Sequence, residues 1–346
     1  MALLALFALA TAFAAGLATG RLFEGGGLSA APQDGEIREG RVGLINPLLE
    51  CEIANEQLYR PLRPFGRRLD ERVRSLEQGE GVSKVAVYFR DLNNGPWVGS
   101  HEKGEFIPAS LAKVPIVIAA LRQAENDPGF LARRVVYSGF AVQRESGFLN
   151  PESNLERGKA YTIDELMVRI GKYSDNAAAE LVMQALPPRL LRTVYFDLGI
   201  DPQRLKSGVF SLSPQEYASF FRVLYNASYL DKRLSERALA YFVQSTFELG
   251  LVAGVPDEIT VSHKFGVWEE PAPGSNPPLQ LHDCGIVYHP QHPYLLCVMT
   301  IGSNYVKMTE AIAGISRFVY EEVAADLNRP GWSGELVDVE ATPNIP

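Results

Sequence analysis

Apolar positions along the chain change period several times, and those changes outline its elements. The first 20 residues, "MALLALFALATAFAAGLATG", form an almost unbroken apolar run that stops at Arg21. Its length lies between the core of a signal peptide and a short membrane span, which predicts a leader or an anchor over residues 1–20. Gly, Ala and charge without periodicity follow, and this predicts a linker over residues 21–49.

A folded region is expected over residues 50–328. Apolar residues at helical spacing run from about Asn55 to Leu76. Two β-rich runs then flank Asn93-Asn94-Gly95, a hairpin signal. Helical patterns dominate the middle. Thr162 with Glu165 and Ser213 with Glu216 are capping-box pairs, the second with Pro214 at the first helical position. Strand patterns return in "EITVSHKFGVW", "LQLHDCGIVY" and "YLLCVMTIG", the last two separated by the turn-rich "HPQHP". An amphipathic helix, "MTEAIAGISRFVYEEVAADL", closes the region, and residues 329–346 read as a structureless tail. Tight turns imply antiparallel neighbours. The order predicts an α/β fold of the α+β type: a five-stranded antiparallel sheet flanked by helices. An all-helical subdomain, over about residues 113–250, is inserted between its second and third strands.

Composition narrows the function classes. The 346 residues are 46% hydrophobic, enough for a sizeable core. A net charge of −8 with no basic stripe argues against a nucleic-acid partner. Of three cysteines, Cys284 and Cys297 fall on what read as two arms of one hairpin. A cross-strand bridge and two small buried apolar side chains are both open readings. No CxxC or clustered His/Cys spacing occurs, so neither a metal nor a cofactor is expected.

Three short stretches carry chemistry. In "FIPASLAKVPIVIAAL", Ser110 and Lys113 stand three apart, which on a helix puts both on one face about 5–6 Å apart. A serine hydroxyl is a weak nucleophile until a base takes its proton, and lysine is that base only when uncharged. Taken alone, the pair reads first as a surface serine and a snorkelling lysine, and only second as a catalytic pair. Ser174-Asp175-Asn176 lies between two helical patterns, where such residues ordinarily form a turn and an N-cap. Lys264 interrupts a strand, with Gly266 two residues on. An edge-strand lysine explains the first, and close approach of a ligand or another backbone the second.

Together these are S-x-x-K at a helix start, S-D-N between helices and K-x-G on the strand that returns from the helical block. In that order they resemble the motif set of class A β-lactamases and related penicillin-binding serine hydrolases, over most of residues 50–328. The resemblance implies that Ser110 is acylated and Lys113 takes its proton. It implies further that Ser174 passes a proton to the leaving nitrogen, Asn176 holds substrate and Lys113, and Asp175 fixes the loop. Lys264 would bind the substrate carboxylate and help keep Lys113 neutral, with Phe265, Gly266 and Val267 lining the substrate site. The oxyanion hole would be the backbone N–H groups of Ser110 and Val267.

Two departures stand out. Phe265 occupies the position where most relatives carry a hydroxyl residue. The E-x-x-L-N stretch that supplies the deacylation base of class A enzymes is missing from "LGIDPQRLKSGVFSLSPQEYASFF". Glu216 is accounted for by its capping box, and Glu145 falls before S-D-N, on the rim of the predicted cleft. The expected partner is a small-molecule β-lactam or a peptidoglycan stem peptide, the latter in a D,D-peptidase or transpeptidase. A catalytically silent binding module is the alternative from another class. The N-terminal run predicts an extracytoplasmic location, tethered through residues 2–19 if the leader is retained. Arg21, Arg38 and Arg41 after that run point the other way under the positive-inside rule.

Overall fold

Helices and strands follow one another along the chain largely in the order that their residue patterns predict. In a computed structural model of the chain, the described residues are 36–51, 62–93, 95–139, 155–206, 210–269 and 278–326. All of them lie in one compact unit, Gly35–Pro346. A hairpin of β1 (Glu36–Arg38) and β2 (Leu48–Cys51) precedes helix α1 (Arg63–Glu77). Strands β3 (Val82–Asp91) and β4 (Trp97–Ser100) form the next hairpin. Helix α2 (Lys113–Asn126) follows, then the short pair β5 (Arg134–Val136) and β6 (Ala160–Thr162). Five helices come next: α3 (Ile163–Tyr173), α4 (Asn176–Ala185), α5 (Leu190–Asp197), α6 (Pro214–Tyr225) and α7 (Lys232–Val243). Strands β7 (Val261–Glu269), β8 (Leu279–Val287) and β9 (Tyr294–Gly302) return to the sheet, and helix α8 (Tyr305–Asp326) closes the unit.

The main sheet has five antiparallel strands, as expected from the tight turns, and their order is β4-β3-β9-β8-β7. Successive side chains on a strand point to opposite faces, so the sheet separates two cores. On one face Val85, Val87, Phe89, Leu296 and Val298 pack with residues of α1 and α8. On the other, Ala86, Tyr88, Cys284, Cys297 and Met299 pack with the helices α2–α7. Lys264 and Gly266 fall, by this alternation, on the face that meets the helices.

The two capping boxes form as expected. Thr162 and Ser213 each accept from the backbone N–H three residues on, and the Glu165 and Glu216 carboxylates each accept from the cap N–H in return. Helix α1 begins at Arg63, with Pro64 in its first turn. The expected start at Asn55 lies outside the described residues, as do the leader or anchor over residues 1–20, the tail over 329–346, and Glu145.

Part of the predicted linker is structured instead. Ile45 is buried, Arg38 donates to the Asn46 carbonyl and Asn226 Oδ1, and Arg38 and Arg41 lie over the rings of Tyr225 and Tyr288. So residues 36–51 dock on the domain rather than tether it. The partners that hold this segment, Asn226, Tyr225 and Tyr288, lie far along the chain, beyond what local periodicity reports.

Helices α3 and α7 approach closely where Gly171 lacks a side chain. A Cβ there would lie 2.2 Å from the Tyr241 carbonyl oxygen, a backbone atom with little freedom to move. Glycine-to-alanine in a helix normally gains up to about 1 kcal/mol. Here overpacking wins, and Gly171→Ala is expected to cost about 2 kcal/mol. A lower urea midpoint with unchanged m-value would bear this out, and an unchanged or raised midpoint would contradict it.

Candidate active site

The segment that delivers Ser110 is held before it turns. Phe106 exchanges both backbone hydrogen bonds with Leu212, at 2.8 and 3.0 Å. Ser110 then lies in a tight 3₁₀ turn, Ala109–Ala112, closed by Leu111 N–H donating to the Pro108 carbonyl at 2.9 Å. Lys113 is the first residue of α2. The S-x-x-K spacing is thus read across a turn–helix junction rather than along one helix. Pro115, which has no N–H to give, fits only near a helix start. Residues i and i+3 eclipse in a 3₁₀ turn, so the two side chains still meet. Lys113 Nζ lies 2.5 Å from Ser110 Oγ, and both residues are buried.

The Ser174-Asp175-Asn176 stretch caps and functions at once. Asp175 is the N-cap of α4, accepting from Ala177 N–H and Ala178 N–H at 3.0 and 3.1 Å and pairing with Arg169 at 2.9 Å. Ser174 ends α3 in the left-handed region, φ 56°, ψ 34°, a conformation that costs a non-glycine residue about 1–3 kcal/mol. This sharp junction points both the carbonyl and the hydroxyl of Ser174 at Lys113 Nζ, at 2.8 and 3.0 Å. Asn176 Oδ1 is 2.5 Å from the same nitrogen.

Strand β7 supplies the second amine. Lys264 is fully buried, and its Nζ donates to Ser174 Oγ at 2.8 Å and to the Phe265 carbonyl at 2.6 Å. It also sits over the Phe265 ring, 4.1 Å from the centroid. That ring is buried and stacked on Phe247 at 4.2 Å. Phe265 therefore serves as packing beneath the lysine, with no hydroxyl to offer a substrate. Val267 turns its side chain into the core formed with α1 and α8. As the outermost strand, β7 has one edge without a strand partner in the sheet. A Cβ on Gly266 would lie 2.7 Å from the Pro108 carbonyl and 3.1 Å from Leu111 N, so glycine allows β7 to lie against the Ser110 turn.

Ser110, Lys113, Ser174, Asn176 and Lys264 thus converge from three segments. One hydroxyl, that of Ser174, touches two amines. This puts the amines within about 6 Å of each other, where each disfavours charge on the other. Two ammonium ions at that distance repel by roughly 3 kcal/mol at an effective dielectric of 20. The Ser174 carbonyl and Asn176 Oδ1 only accept, so each takes an N–H of Lys113, and the Ser110 and Ser174 hydroxyls meet the same nitrogen.

Glu216 is committed elsewhere. Burial alone would raise its pKa, but the Ser213 N–H and Arg204 outweigh burial and hold it below the usual carboxylate value. Sequence reasoning missed His282 and Gln280, buried polar residues on β8 that hold the lead-in to Ser110. Their signal was two polar positions, two apart, on a strand otherwise reading as core. The open question about the cysteines is resolved as a bridge. Cys284 and Cys297 are directly opposed on β8 and β9, with Cα atoms 3.9 Å apart, and form a disulfide.

A family profile described as the beta-lactamase enzyme family matches residues 68–323. A beta-lactamase of Streptomyces lavendulae is 28% identical over 246 residues, 66% of this chain and 76% of that protein. A point mutant of PBP-A, solved as an acyl-enzyme complex with penicillin-G, superposes with a TM-score of 0.63 at 20% identity, covering 76% of this chain and 97% of that one. A class A beta-lactamase from Mycobacterium abscessus does so with a TM-score of 0.60 at 23% identity, covering 74% and 99%. With a profile that spans most of its length and a sheet–helix architecture shared with these structures, the chain belongs to the beta-lactamase enzyme family, serine hydrolases that act on amide bonds.

Proposed function

We propose that this protein acylates Ser110 with β-lactams and releases the acyl group slowly. The observation that carries this reading is the chain of buried contacts from Ser110 Oγ to Lys113 Nζ, from there to Ser174 Oγ, and on to Lys264 Nζ. Ser110 Oγ attacks the lactam carbonyl while its proton passes to neutral Lys113. The developing oxyanion is held by the backbone N–H groups of Ser110 and Val267. The C–N bond breaks as Ser174 gives its proton to the departing nitrogen, and that hydroxyl is reprotonated from the amines it touches. Lys264, charged, favours the neutral state of Lys113 and a negative substrate.

Release needs a base for water. The class A glutamate stretch is missing from the sequence, and Glu216 is tied to Ser213 and Arg204. Proton abstraction by a positioned base typically contributes 10²–10⁴-fold, so the acyl-enzyme should persist. A persistent acyl group also favours a second reading, transfer to an amine in a D,D-peptidase or transpeptidase acting on peptidoglycan stems. An extracytoplasmic location is supported by the apolar N-terminal run and by the Cys284–Cys297 bridge, since disulfides persist mainly in oxidising compartments.

Three outcomes test the proposal. Incubation with benzylpenicillin should add the mass of one intact penicillin to the wild type and nothing to Ser110→Ala; equal labelling of both would contradict it. Gly266→Ala should push β7 off the Ser110 turn and slow adduct formation about 100-fold, measured as the acylation rate constant, because misplacement near 1 Å costs that much. An unchanged rate would show that β7 need not lie so close. Phe265→Thr restores a hydroxyl beside Lys264 and should raise acylation by carboxylate-bearing penicillin about 10-fold relative to its methyl ester, one hydrogen bond to a charged group being worth about 1.5–3 kcal/mol. An unchanged acid-to-ester ratio would remove Phe265 from carboxylate recognition.

A further inference from the structure

The lead-in to Ser110 is gripped by two side chains that no catalytic step uses. Ile107, three residues before the serine, donates its N–H to Gln280 Oε1 at 3.0 Å, and its carbonyl lies 3.0 Å from His282 Nε2. Gln280 and His282 are two apart on β8 and so share a face. They flank Ile107 much as a neighbouring strand would, supplying both an acceptor and a donor to one residue.

The tautomer of His282 follows from its other nitrogen. Thr300 N–H donates to His282 Nδ1 at 3.2 Å, so Nδ1 is the acceptor and Nε2 carries the hydrogen that Ile107 receives. Burial lowers the His282 pKa to about 4, so the ring stays neutral and keeps this donor–acceptor pattern at neutral pH. The Phe106 ring meets the imidazole edge-on at 5.5 Å.

Two features show why a grip is needed. Ala109, immediately before Ser110, has φ 49°, a strained value for a residue with a side chain. In addition, His282 is the register partner of Gly266, the residue that lies against the Ser110 turn. One strand thus fixes both the turn and the stretch of β7 that carries Lys264. From the far side, the Tyr217 hydroxyl donates to the Leu111 carbonyl at 3.1 Å.

We propose that Gln280 and His282 are positioning residues that clamp Ile107, hold the strained Ala109 turn, and thereby set Ser110 Oγ against Lys113. This rests on the reading of Ser110 as the nucleophile. Its test should not depend on β-lactam recognition, so the probe is a small alkyl fluorophosphonate. Ser110 Oγ attacks phosphorus, the P–F bond breaks, fluoride leaves, and the hydroxyl proton passes to Lys113.

Labelling is followed by intact mass, well below the melting temperature of each variant. His282→Leu removes the donor and should lower the maximal labelling rate constant about 100-fold while half-saturation by the probe changes little. His282→Gln can offer an amide N–H to Ile107 and a carbonyl to Thr300, and should recover to within about 5-fold of wild type. Gln280→Leu, on the more accessible arm, should lower the rate about 10-fold and supplies the test if His282→Leu does not fold. Lowered melting temperatures with labelling rates at the wild-type value would overturn the clamp and leave both residues merely structural. Labelling that persists in Ser110→Ala would instead overturn the nucleophile reading, and no labelling of the wild type would overturn both.

Discussion

One hydroxyl shared between two lysine amines governs this molecule's chemistry. Ser174 Oγ lies 3.0 Å from Lys113 Nζ and 2.8 Å from Lys264 Nζ, in a pocket where all three residues are buried. Burying an ammonium is costly unless hydrogen bonds and counter-charge compensate, and burying two side by side is costlier still. The least costly state keeps one charge and one lone pair. On the proposed reading Lys264 carries the charge and Lys113, which faces Ser110, the lone pair.

The rest of the fold keeps that arrangement in register. Ser174 reaches both amines because α3 ends in a left-handed residue and α4 begins at once with the Asp175 cap. Lys264 reaches it because β7 alternates toward the helices and Gly266 lets the strand close on the Ser110 turn. Lys113 reaches it because a 3₁₀ turn, rather than a regular helix, joins Ser110 to α2. Each contact depends on a backbone feature that only a few residue types tolerate, so the motifs are as much about geometry as about reactive groups.

Much of this was legible in the sequence because its causes are local. Capping boxes at Thr162 and Ser213 set two of the helices, and short β-rich runs bounded by turn residues mark the strands of the sheet. That Ser110, Lys113, Ser174, Asn176 and Lys264 share one cleft was expected from the resemblance of their three motifs, in order, to a known family. What escaped depends on distant partners. The docking of residues 36–51 needs Tyr225 and Tyr288. The burial of Phe265 depends on Phe247, and the hold on Ile107 on two residues of β8 that looked like ordinary core strand.

The most direct test is the charge on Lys113 itself. In protein with ¹⁵N-labelled lysine, the Nζ resonance of Lys113 can be assigned by its loss in Lys113→Arg. At neutral pH it should have the shift of a neutral amine in the wild type and that of an ammonium in Lys264→Met. An ammonium signal for Lys113 in the wild type, unchanged by removal of Lys264, would contradict the account.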